Sequence, residues 1–96
     1  MDKKDIIKEV TNIIKRHLPE GNYKILLFGS QARGDDYPES DIDIGILGDS
    51  KISFEMFSRI LHEKDGILTL RKIDIIDLNS VGESFKKEVL SYARRI

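Results

Sequence analysis

The stretch Asp41 to Leu47 constrains the fold more than any other part of the chain. Ile42, Ile44 and Ile46 alternate with Asp41, Asp43 and Gly45. Side chains on a β-strand leave on opposite faces with a period of two, so this segment predicts a strand that buries one face and presents acids on the other. Such a strand needs neighbours to pair with and a layer to cover its apolar side. The rest of the sequence supplies both. Tyr23 to Phe28 is a short apolar run without alternation, which suits a strand covered on both sides. Ile73 to Leu78 predicts a third strand.

Helical spacing accounts for most of the remainder. Between Asp2 and Leu18, residues Ile6, Ile7, Val10, Ile13, Ile14 and Leu18 mark one apolar helix face, which Pro19 and Gly21 bring to an end. Ser53 to Asp65 predicts a second helix using Phe54, Phe57, Ile60 and Leu61, with Gly66 as the stop and Met56 and Phe57 in the core. Asn79 or Ser80 is the expected cap of a last helix carrying Phe85, Val89, Leu90, Ala93 and Ile96. The expected fold is therefore α/β (α+β): one domain over residues 1–96, a small mixed β-sheet with helices packed on it. No repeat, linker or low-complexity stretch interrupts it.

Composition excludes several classes of function. A chain of 96 residues with no cysteine has no disulfide framework, no thiol nucleophile and no cysteine-held zinc. Apolar runs fall far short of the roughly 20 residues a membrane helix needs. The charged start offers no apolar signal-peptide core, so a cytoplasmic location is expected. Sixteen basic against seventeen acidic residues give a net charge of −1, which argues against general electrostatic binding of nucleic acid. The acids are nevertheless clustered, with Asp35, Asp36, Glu39, Asp41 and Asp43 close together. His17 and His62 have no second ligand at metal spacing and are expected at the surface. A domain this small often leaves apolar surface uncovered, which makes a homodimer plausible.

Asp41 and Asp43 leave the same face of their strand with Cα atoms roughly 6–7 Å apart. Carboxylates that close repel unless a proton or cation intervenes. Mg²⁺ suits them, because it takes one or two carboxylates and completes its shell with water and phosphate oxygens. The alternative is a solvated strand edge. Upstream, Gly29-Ser30 follows a buried strand. Glycine admits a close approach of backbone to phosphate, and the serine hydroxyl can donate to a phosphate oxygen or simply cap a turn. Arg33 has a guanidinium fork suited to phosphate, or to an ion pair with Asp35, Asp36 or Glu39. Tyr37 in the same stretch can stack on a base or sit exposed.

Taken together, Gly29-Ser30-Gln31-Ala32-Arg33-Gly34 and Ser40-Asp41-Ile42-Asp43 resemble the nucleotidyltransferase signature GSxARGx(5)SDxD. The superfamily includes DNA polymerase beta, and the small size resembles its minimal nucleotidyltransferases, MNT. The resemblance implies the nucleotidyltransferase fold and transfer of AMP from ATP with release of pyrophosphate. It implies two Mg²⁺ ions held by Asp41, Asp43 and a third carboxylate on a later strand, with Gly29, Ser30 and Arg33 on the nucleotide. Asp74 and Asp77 both stand in the right region, on opposite faces of the predicted strand. An acid inside an apolar strand is the family pattern, and Asp74 matches it. Asp77 is then a solvated or capping acid.

Minimal nucleotidyltransferases are often paired with a helical HEPN protein in a toxin–antitoxin system. The resemblance thus implies a HEPN ribonuclease tyrosine as the acceptor. Three other expectations compete: an antitoxin that binds nucleotide or partner without chemistry, a transferase acting on a small hydroxyl compound, and a purely structural small α/β domain. The tail departs from the family, which often ends in a Glu-Gly step before an apolar-tyrosine tail. Here it reads Ser91-Tyr92-Ala93-Arg94-Arg95-Ile96. Tyr92 and Ile96 dock a partner or a second copy, or finish the core.

Overall fold

The computed structural model describes residues 2–29 and 41–96. In chain order these form α1 (Lys3–His17), β1 (Tyr23–Phe28), β2 (Ile42–Gly48), α2 (Phe54–Lys64), β3 (Ile73–Asp77), α3 (Glu83–Tyr92) and β4 (Arg94–Arg95). The strands make one mixed sheet in the order β3-β2-β1-β4. β1 runs antiparallel to β2 and β4, whereas β2 and β3 are parallel with α2 as their crossover. The small mixed sheet with packed helices is the architecture that the hydrophobic pattern predicts.

Local chemistry sets the helix ends. The Asp2 carboxylate accepts the Asp5 N–H at 2.9 Å and caps α1, while Lys15, Arg16 and His17 occupy the last turn, where the helix dipole favours positive charge. Ser53 Oγ accepts the Met56 N–H at 3.2 Å and caps α2. The two sheet faces carry separate apolar layers. On one, Ile25, Leu27, Ile42, Ile44, Ile46, Ile73 and Ile75 meet Ile6, Val10, Ile13 and Ile14 of α1 and Ile60 of α2. On the other, Leu26, Phe28 and Leu78 meet Val89 of α3, with Tyr92 and Ala93 beside them. Among the described residues no helix is long and apolar enough to cross a membrane.

Three expectations need correction. The cap of α3 is Gly82, with no side-chain hydrogen bond, because Asn79 and Ser80 are spent on the turn after β3. Asn79 Nδ2 donates to the Gly48 and Ser50 carbonyls at 2.7 and 3.2 Å, and Ser80 Oγ donates to Asp77 at 2.9 Å. Of the apolar set assigned to this helix, Val89 is buried, Phe85 and Leu90 are exposed, and Ile96 lies beyond the helix. The chain instead turns back as β4, and the Ile96 N–H donates to the Ile25 carbonyl at 3.0 Å. Two arginines carry no strand pattern; pairing with the open edge of β1 makes them a strand. His62 is exposed as expected, but the His17 side chain is only 18% exposed. Its Nε2 lies 3.3 Å from Glu63 Oε1, in ion-pair reach but without hydrogen-bond geometry. Arg16 holds the other oxygen of Glu63 at 2.8 Å, and its hydrogen bond is the main reason the Glu63 carboxyl stays below its ordinary range.

Candidate active site

Asp43 of β2 lies on the face that α3 partly covers. Along β2 that face runs Asp43, Gly45, Leu47, and along β3 it runs Asp74, Ile76, Leu78, so each row passes from acid to apolar. Register then brings three chain segments together at the polar end. Asp43 stands opposite Phe28 at the end of β1 and opposite Asp74 in β3. The apolar end is closed by Phe28, Leu78 and Val89, with Phe85 set edge-on to Phe28 at 6.3 Å. Gly45 permits this closure, since a Cβ there would stand 2.9 Å from Leu78 Cδ1 and 3.6 Å from Phe28 Cε1.

Asp43 is the most perturbed acid in this corner. Its carboxyl is raised to about 6, chiefly by burial, with the charges of Asp74 and Asp41 and hydrogen bonding to Asp74 acting in the same direction. The Lys72 ammonium opposes the shift; it lies 3.8 Å from Asp74 Oδ2 but is itself well exposed. Two carboxylates in contact at the edge of an apolar layer need a proton or a cation to settle their charge. Their donors are all oxygen, the set that Mg²⁺ accepts while keeping positions for water and phosphate. Asp41 is exposed at the entrance of β2, and among the described residues no three acidic or imidazole groups make a preset cage.

Gly29 closes the site from the β1 side. Its φ of +69° lies in the left-handed region, and a Cβ at this position would collide with Asp43 Oδ2 and sit 3.1 Å from its Cγ. Glycine is needed here for the backbone turn and for the space the carboxylate fills. The Gly29 N–H is engaged, donating to the Tyr92 hydroxyl at 3.2 Å. What Gly29 contributes locally is therefore the shape of the turn. Ser30 and Arg33, the other expected nucleotide residues, lie outside the described residues, as do Asp35, Asp36, Tyr37 and Glu39.

Asp77 separates cleanly from this group. It points to the other face, is 6% exposed, and accepts from Ile52 N–H at 2.8 Å, Asn79 N–H at 3.0 Å and Ser80 Oγ at 2.9 Å. It fastens the loop entering α2 to the end of β3, so it is a buried tie and not a solvated acid. Tyr92 is the site neighbour that sequence reasoning did not place. Only the register of β4 brings it to Gly29, and nothing in the residues near position 92 signals that.

The sequence matches the polymerase beta nucleotidyltransferase family over residues 6–96. A Methanocaldococcus jannaschii protein named as a candidate protein adenylyltransferase is 35% identical over 98 residues, covering 98% of this chain and 97% of its own length. A toxin–antitoxin structure with AMP-PNP superposes with a TM-score of 0.72 at 22% identity, covering 92% of this chain and 69% of that one. A chain in the complex of a tri-AMPylated Shewanella oneidensis HEPN toxin with an MNT antitoxin gives 0.69 at 18% identity, covering 96% and 69%. At these identities the superpositions establish the fold, while the family match and the archaeal relative establish the kinship. The acid pair beneath a glycine turn stands in a chain that belongs to the polymerase beta nucleotidyltransferase family, and it is a nucleotidyltransferase.

Proposed function

We propose that this chain transfers the adenylyl group of ATP to a hydroxyl on a partner protein, and that the partner is a HEPN-type helical toxin modified on tyrosine. The contact of Asp43 with Asp74 on adjacent parallel strands carries the reading, since it concentrates negative charge where a triphosphate could approach only with cations. The archaeal relative's designation as a protein adenylyltransferase supports a protein acceptor. The AMPylated HEPN complex among the fold neighbours supports the toxin as that protein and an antitoxin role for the chain.

Asp41, Asp43 and Asp74 would hold Mg²⁺, two ions in the full site. Bound there, the metal neutralises triphosphate oxygens and makes the attacking hydroxyl more acidic. The chain's own residues do the rest. The turn at Gly29, with Ser30, orients the β- and γ-phosphates, and Arg33 pairs with a phosphate oxygen. The acceptor oxygen forms its bond to the α-phosphorus as the bond from that phosphorus to the bridging oxygen breaks. Pyrophosphate leaves, and the hydroxyl proton passes to the Asp74 carboxylate, whose side chain is 39% exposed. Catalysis is then mainly positioning and charge neutralisation.

The test incubates the purified chain with Mg²⁺ and an extract of its own cells, using α-labelled and γ-labelled ATP in parallel and Asp43→Asn beside the wild type. The expected result is label from the α position alone, on one protein band, absent with the variant. Label from the γ position would make the protein a kinase. Label on small molecules only would replace the protein acceptor with a small hydroxyl compound. ATP binding without any label would leave an antitoxin that works by occupancy.

A further inference from the structure

β1 and β4 pair antiparallel with Leu26 opposite Arg95 and Leu27 opposite Arg94. The Ile96 N–H donates to the Ile25 carbonyl at 3.0 Å, which marks positions 25 and 96 as a hydrogen-bonded pair. Such pairs recur at every second residue of an antiparallel ladder, so residues 25, 27 and 29 of β1 and its extension turn the same bonding edge toward β4. Register carried one step further sets Gly29 opposite Tyr92. Tyr92, however, is the last residue of α3 and has helical backbone, so no strand carbonyl is offered there. Its side-chain hydroxyl takes the bond instead, accepting the Gly29 N–H at 3.2 Å. The ring packs with Leu26, Phe28, Leu78 and Val89, which fixes where the hydroxyl can reach.

The same Gly29 has left-handed backbone and presses against the Asp43 carboxylate. The far end of the chain thus latches the turn that closes over the acid pair. We propose that Tyr92 is a positioning residue of the nucleotide site: through Gly29 it holds the exit of β1 at one angle against Asp43. The proposal rests on the nucleotidyl-transfer reading of that site and adds a residue that its signature does not contain. A turn held in place before the nucleotide arrives loses less freedom on binding, so the effect belongs in nucleotide affinity.

Tyr92→Phe keeps the ring and removes the acceptor oxygen. Three quantities are compared with the wild type: affinity for Mg²⁺ and AMP-PNP, the melting midpoint, and hydrogen exchange at the Gly29 amide. The expected variant binds about three- to tenfold more weakly, the worth of one hydrogen bond. Its melting midpoint falls by a few degrees, as the loss of one hydrogen bond from the folded state requires, its Gly29 amide exchanges faster, and in turnover its KM for ATP rises while kcat holds. Unchanged affinity with a deprotected Gly29 amide would overturn the proposal, and a lower midpoint with unchanged affinity would reduce Tyr92 to a structural role. Tighter binding would also overturn it, by making the hydroxyl a competitor of the nucleotide. A wild type that binds AMP-PNP but transfers nothing would sink the transfer reading, while the affinity comparison would still decide for or against Tyr92.

Discussion

Asp43 and Asp74 stand in register on the parallel strands β2 and β3, and the charge and hydrogen bonding of Asp74 help hold the Asp43 carboxyl above its ordinary range. Parallel pairing is what brings them together. β2 enters the sheet with an acid on the α3 side, α2 crosses back, and β3 enters in the same direction with its own acid in register. Replacing either with asparagine keeps shape and removes the charge that would hold a cation. We expect Asp43→Asn and Asp74→Asn each to lower adenylyl transfer by about 10²–10³-fold, the size of losing one electrostatic contact to a transition state. Pyrophosphate release under saturating Mg²⁺ and ATP measures it. Near-wild-type rates in both variants would remove the pair from the chemistry.

The raised Asp43 carboxyl makes a separate prediction about stability. Unfolded, this aspartate titrates near its ordinary 3.8; folded, it titrates at about 6. Between those values the native state keeps a proton that the unfolded chain has lost. Stability contributed by this group is therefore present at low pH, declines as pH rises through the window, and levels off above about 6. Asp43→Asn has no such loss. Without metal at neutral to mildly alkaline pH, the variant should be more stable than the wild type by about 1 kcal/mol after allowing for solvent screening. For a domain of this size that is a melting midpoint about 4–8 °C higher. Mg²⁺ should raise the wild-type midpoint and leave the variant's in place. A variant that melts below the wild type in metal-free buffer would contradict the assigned cause.

The sequence made some of this visible and hid the rest for physical reasons. The alternation from Asp41 to Leu47 already separates the covered Ile42, Ile44 and Ile46 from the acids, because a period of two is enforced by strand geometry itself. The positions of Asp74 and Asp77 on opposite faces follow from the same rule. Which of them is buried does not, since the partners of Asp77 come from Ile52, Asn79 and Ser80 in two separate turns. Asn79 and Ser80 have the chemistry of helix caps and are diverted by those longer-range bonds. β4 is illegible locally, because Arg94 and Arg95 are both exposed and owe their strand geometry to the open edge of β1. The Gly29–Tyr92 bond, spanning most of the chain, depends on that register.

Asp77 offers a control for the choice of the third carboxylate. Its three accepted hydrogen bonds tie the start of α2 to the end of β3, on the face away from Asp43. Asp77→Ala leaves two part-buried backbone N–H groups without their acceptor and releases the hydroxyl of the exposed Ser80. We expect a loss of about 2–3 kcal/mol, read as a lower urea midpoint at unchanged slope. At a temperature where the variant is still folded, kcat should remain close to wild type. Asp74→Asn should show the reverse, full stability with transfer lost. If Asp77→Ala abolishes transfer while folded and Asp74→Asn does not, the assignment of the third carboxylate is reversed.

Two glycines on the same face should fail in different ways when given a methyl group. At Gly45 the backbone is ordinary and the added Cβ meets Leu78, 2.9 Å from Cδ1. Gly45→Ala therefore overpacks the layer between α3 and the sheet, at a cost of about 1–3 kcal/mol. Leu78→Ala should recover part of that cost in the double variant, because it removes the atoms the new methyl strikes. At Gly29 the φ of +69° alone costs alanine about 1–2 kcal/mol, and the methyl drives into the Asp43 carboxylate besides. Gly29→Ala should consequently lose Mg²⁺-dependent AMP-PNP binding along with stability, and trimming Leu78 should restore neither. Calorimetric binding and urea unfolding on the two alanine variants, each with and without Leu78→Ala, distinguish the cases. Normal nucleotide affinity in Gly29→Ala would mean that the turn can move off Asp43 at no cost to the site.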